Sequence, residues 1–123
     1  MSEIKNKLRE ITVGKSPEFK SEIVEIDGQE FEMREPSVGT RGKIISGSGI
    51  SFSQDGVDND MNISQMQILV VVYCTYVPDT DEQVFSEKDI PMLLEQPAGS
   101  FVDKLAQVGM RLMNQQDEGD SKN

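Results

Sequence analysis

The sequence predicts an α+β fold: an N-terminal β-hairpin, then a small helical bundle, then a disordered acidic C-terminal tail. Three observations carry this reading. Asp27-Gly28 separates two short runs in which apolar and polar residues alternate. After Pro36 that period of two gives way to helical spacing. The strongly apolar segment Met66 to Val77 is followed by an amphipathic one from Ser100 to Asn114, a pair able to bury one helix against another. The chain then divides into a charged N-terminal segment, 1–19, a single α+β domain, 20–114, and a tail, 115–123.

In the first segment Ile4, Leu8 and Ile11 fall at helical spacing among charges, so a short helix can form before Gly14 and Pro17. From Lys20 the pattern alternates through Ile23-Val24 and Ile26, then Phe31 and Met33. Asp-Gly between two such runs is a strong hairpin signal, because glycine tolerates the positive φ of a tight turn. Two strands alone are marginal in water, so this hairpin must lean on helices or pair with another chain. Pro36 ends the second strand, since it has no N–H for a ladder. Ser37 is placed to cap a helix holding Val38, Arg41, Ile44 and Ile45.

Residues 46–60 are rich in Gly, Ser, Asp and Asn and read as a loop of roughly fifteen residues. Asn62 with Gln65 forms a capping-box pattern for the next helix, 62–77. Val70-Val71-Val72-Tyr73 favours a strand by propensity, while the length of the segment favours a helix. A central helix buried on most sides is the assignment, with a strand as the alternative. Pro78-Asp79 stops it, and a short helix follows around Met92-Leu93-Leu94. Ser100 and Asp103 open the last helix, which carries Phe101, Leu105, Val108 and Leu112 on one face. Phe85 and Phe101 read as core residues closing the end of the central helix. The tail 115–123 has no apolar residue and is expected to be disordered.

Composition narrows the functional classes. The chain of 123 residues has no His and one Cys, Cys74, inside the apolar segment. Without imidazole it lacks the usual general base near neutral pH and the commonest zinc ligand. Cys74 has no His to activate it and reads as a small core hydrophobe. One Cys cannot form an internal disulfide, which fits a reducing cytoplasm. With 22 Asp and Glu against 12 Lys and Arg, the net charge is -10, unfavourable for binding nucleic acid or an anionic membrane. The first ten residues are charged throughout, unlike a signal peptide, and the apolar run 68–77 is about half the length of a membrane span. The expectation is an intracellular protein with no enzymatic activity and no cofactor or metal.

Motifs that invite chemistry fail on spacing. In the acidic run 55–60 the glycine falls at the second position of an EF-hand count and Met66 at the twelfth, where a Glu is needed. Gly39-Thr40-Arg41-Gly42-Lys43 lacks the spacer and the final Ser or Thr of a phosphate loop. The seven methionines are more suggestive, because flexible thioethers suit surfaces that bind varied helices. Met110 and Met113, near the end of the last helix, are the candidate client-binding residues.

The order of these features resembles the tail assembly chaperones of long-tailed, siphovirus-type bacteriophages and prophages over roughly residues 20 to 114. The resemblance rests on the buried helix, the Pro78-Asp79 loop with Phe85 as an aromatic plug, and Gln96-Pro97-Ala98-Gly99-Ser100-Phe101 opening the last helix. It implies a non-enzymatic protein of the host bacterial cytoplasm that binds the tape measure protein and keeps it soluble during tail tube assembly. The tail tube protein and self-association stand as further partner candidates. Two other classes remain open at this point: a structural tail-completion or head–tail joining protein, and an acidic DNA mimic that inhibits a nucleic-acid enzyme.

Overall fold

In the structure, a computed structural model, residues 2–48, 52–53, 56–57 and 60–114 are described. The hairpin forms as expected from strands β1 (Ser21–Ile26) and β2 (Gln29–Arg34), with Ile26 opposite Gln29 and Val24 opposite Phe31. Asp27 and Gly28 both adopt positive φ, 53° and 79°, the geometry whose twist suits a two-residue connection. Alternation then sorts the side chains. Val24 and Met33 point into the core, while Ile23, Glu25, Glu30 and Glu32 share the opposite face.

Ahead of the hairpin, α1 (Ser2–Glu10) is helical, but every one of its residues is exposed. Helix α2 (Val38–Gly47) starts at Ser37, whose Oγ accepts from the Thr40 N–H at 3.1 Å. It buries only Ile44 fully, and Val38 lies exposed at its first turn rather than on the packed face. Within the expected loop 46–60, two short strands pair, β3 (Phe52–Ser53) with β4 (Gly56–Val57). Asp55, Asp58 and Asn59 of the acidic run lie outside the described residues.

The central element α3 (Asp60–Cys74) is a helix, as assigned. Ile68 to Val72 and Cys74 are all buried, so its C-terminal half is covered on nearly all sides, while Ile63 and Ser64 nearer its start are exposed. Its limits differ from the expected 62–77. It begins two residues before Asn62, which therefore lies in the first turn rather than at a cap. It ends at Cys74, and Thr75–Tyr76 leave it as strand β5, pairing antiparallel with β2 through Met33–Thr75 and Glu32–Tyr76. The buried Thr75 hydroxyl donates to Met33 Sδ at 3.2 Å, satisfying a polar group that a continued helix would have had to place elsewhere. The hairpin thus gains a third strand, in the order β1-β2-β5.

Past the Pro-Asp turn, Ser86 and Asp89 form a capping box around the 3-10 turn Glu87–Asp89, which leads into α4 (Ile90–Leu94). Helix α5 (Phe101–Asn114) closes the core against α3 and the inner face of the sheet, burying Leu105, Ala106, Gly109, Leu112 and Met113. The rings of Phe85 and Phe101 stack with centroids 6.3 Å apart, half-buried against that core. The tail expected at 115–123 lies outside the described residues.

Cys74 illustrates the core's chemistry. Burial pushes its thiol up to about 12, so it is neutral at physiological pH and inert as a nucleophile. Iodoacetamide at pH 8 is expected to leave the folded protein unlabelled and to label it fully in denaturant. Because the thiol titrates near 9 when unfolded, its contribution to stability is intact below that pH and falls as pH rises above it. Rapid labelling of the native protein would show that α3 opens locally.

Candidate functional site

The most polar cluster sits where β2, β5 and the loop after Pro78 meet. Arg34 projects from the outer sheet face and is drawn in from four sides. Its Nε lies 3.3 Å from Glu32 Oε2, its Nη1 donates to Asp81 Oδ1 at 3.1 Å, its Nη2 donates to the Thr80 carbonyl, and its guanidinium stands 4.1 Å above the Tyr76 ring. Glu32 also accepts from the Asp79 N–H at 3.1 Å, which holds the loop where Asp79 has a positive φ of 63°. Burial raises the Glu32 carboxyl, but the Arg34 and Asp79 hydrogen bonds and the Arg34 charge outweigh it and leave it below its ordinary value. Burial likewise opposes the charge on Arg34, and Glu32 and Asp81 more than offset it.

A cleft of about 300 Å³ beside Arg34 is lined by Phe19, Tyr73, Tyr76 and the start of α2. Nothing in it resembles a nucleophile paired with a base. Arg34 has its carboxylates already, and Tyr73 donates its hydroxyl to Glu87, a bond that, with burial, raises the phenol further. The cluster's evident work is to lock the Pro-Asp loop onto the sheet. Among the described residues no three metal-ligating side chains converge, and no helix is long and apolar enough to cross a membrane. The phosphate-loop lookalike 39–43 is continuous helix in α2 and offers no cradle of backbone N–H groups.

The two methionines singled out by sequence occupy different environments. Met110 is half-buried against the core, while Met113, one turn on, is only 8% exposed. Met113 therefore belongs to the core, and a charged residue there would destabilise the fold rather than test a surface. Arg34 was missed by the sequence reading. The signal was available in its outer-face register on β2 with Asp79 and Asp81 in the loop that must return past it.

The sequence matches no family model and no curated protein. Solved structures do show a likeness. The structure matched is that of the bacteriophage HK97 tail assembly chaperone, with a TM-score of 0.60 over 92% of this chain and 99% of that one, at 16% sequence identity. The likeness bears out the resemblance drawn from residues 20–114 and, at this identity, establishes shared architecture.

Proposed function

We propose that this protein is a tail assembly chaperone of a long-tailed phage or prophage, binding the tape measure protein in the host cytoplasm and keeping it soluble while the tail tube assembles. The observation that carries the reading is the structural match, which spans nearly the whole of both chains rather than a shared hairpin or helix pair. The physical chemistry is consistent. A client with exposed helical stripes needs a flexible apolar surface, and the coated complex needs net charge, here -10, to stay dispersed. Met110, half-buried on α5, is the proposed contact, and Met113 supports it from the core.

Co-expression tests this. The tape measure protein encoded with this chain is expected in the soluble fraction, co-purifying with it, and in the pellet without it. Met110→Gln, close in size and uncharged, is expected to reduce the co-purified client while the chaperone itself stays folded by circular dichroism. A client equally insoluble with and without this chain would defeat the proposal. Retention of the chain in purified virions would favour a structural tail component instead.

A further inference from the structure

The three-stranded sheet packs one face on the core and leaves much of the other open. Cross-strand register sets out this outer face in rows: Ser21 beside Arg34, then Ile23, Glu32 and Tyr76, then Glu25 beside Glu30. Ahead of β1 the Glu35 N–H donates to the Lys20 carbonyl at 2.9 Å, which extends the ladder by one pair. Phe19 then shares the parity of Ser21 and Ile23 and falls on the same face. Ile23 is 48% exposed and Phe19 47%. Phe19 also lines, with Arg34 and Asp81, two adjoining clefts of about 300 and 330 Å³.

The rim around these apolar side chains is acidic. Glu25 and Glu30 stand directly opposite each other, a like-charge pair that costs stability unless a cation approaches. Lys104 Nζ reaches only the Glu25 carbonyl, at 3.3 Å. Arg34 is committed to Glu32 and Asp81, so among the described residues Glu25, Glu30 and Asp79 have no ion pair. Such a rim repels nucleic acid and anionic lipid and favours a cationic cover. The width of the face also selects its occupant. Three strands place the outer two about 10 Å apart, and one helix with its side chains is about 10–12 Å across.

We infer that this face docks a cationic amphipathic helix of another protein, its apolar stripe on Phe19 and Ile23 and its Lys or Arg residues over Glu25 and Glu30. The partner's identity rests on the chaperone reading: the client, with its exposed helical stripes, supplies the helix. The face is then a second client contact, across the sheet from α5 and Met110. The contact is partly electrostatic, so it weakens with salt.

Fluorescence anisotropy on the full chain tests this, with a labelled Leu-Lys peptide patterned as an amphipathic helix and a scrambled peptide of the same composition. The patterned peptide is expected to bind more tightly. Glu25→Lys with Glu30→Lys, and separately Phe19→Ser with Ile23→Thr, should each weaken its binding by about tenfold or more. Glu3→Lys with Glu95→Lys makes the same change in net charge at exposed positions off the face, and should weaken binding by no more than about twofold. None of these variants removes a buried side chain, so all should melt close to the parent.

The inference is overturned if the scrambled peptide binds as well, if the off-face pair weakens binding as much as the face pair, or if the Phe19 and Ile23 variant binds like the parent. An Ile23→Cys chain shielded from maleimide before any peptide is added, with buried Cys74 silent, would show the face already covered by the chain itself or by another copy, and would overturn it equally. Co-expression separates this inference from the chaperone reading. A client kept soluble by the parent and equally by both face variants removes the face as a client contact and leaves the function standing. A client that the parent fails to solubilise removes the function, and the peptide measurements still decide the face.

Discussion

Leu105→Asp is expected to leave the protein unfolded at room temperature. Leu105 is 0% exposed and lies mid-way along the face of α5 that packs on α3 and the sheet. The substitution removes a buried aliphatic side chain, a loss of about 2–5 kcal/mol by large-to-small precedent. It also places a carboxylate in the apolar core cluster, costing several kcal/mol even if the group protonates. Against a total of about 5–15 kcal/mol for a domain of this size, the sum is most or all of the available stability. Gln107→Asp, exposed on the same helix, is the control and should shift the melt only slightly. Circular dichroism melts decide it. A Leu105→Asp protein melting within a few degrees of the parent would mean that α5 is not part of the core.

That Leu105 could be picked out from sequence shows where pattern carries information. Its helix has a clean apolar stripe, and the Asp27-Gly28 hairpin has a turn chemistry that few other structures use. Both are local signals, and both elements appear where expected. What stayed hidden depended on contacts between distant segments. Nothing within Tyr73-Cys74-Thr75-Tyr76-Val77 marks the helix end, because β-prone and apolar residues continue through it. The switch to strand at Thr75 is set by the open edge of β2, where its partner Met33 lies 42 residues earlier in the chain. Arg34 is similar, since its partners Thr80 and Asp81 come from a loop that only the third strand brings alongside. Met113 looked exposed because it is near a helix end, yet the periodicity that buries Ala106 and Gly109 also carries it inward. The free stripe of α1 is the reverse case. Its amphipathic pattern was legible, but amphipathicity does not say which molecule provides the other surface.

Gly109 is where the helical packing has least room, and substitutions there should reverse the usual rule for helices. A glycine in a helix interior costs about 1 kcal/mol relative to alanine, so Gly→Ala on a typical helix stabilises. Here a Cβ built on Gly109 would lie 2.4 Å from Val70 Cγ1 and 3.0 Å from Met33 Cε. Met33 can yield, because its side chain has three flexible torsions. Val70 cannot, because it is β-branched, is itself fully buried and has one strongly preferred rotamer in a helix. The clash must therefore be relieved by moving α5 away from α3, which also loosens Leu105, Ala106 and Leu112. Overpacking of this kind costs about 1–3 kcal/mol net for one methyl group, and more for a branched side chain. Gly109→Ala is thus expected to lower the melting temperature by about ten degrees, and Gly109→Val to abolish cooperative folding. Val70→Ala, damaging alone, should partly rescue Gly109→Ala, because the new methyl occupies the space that Val70 vacates. In a double-mutant cycle the two destabilisations should fall short of additivity by about 1 kcal/mol or more. A Gly109→Ala protein more stable than the parent would show that the α3–α5 approach is looser than the 2.4 Å contact requires.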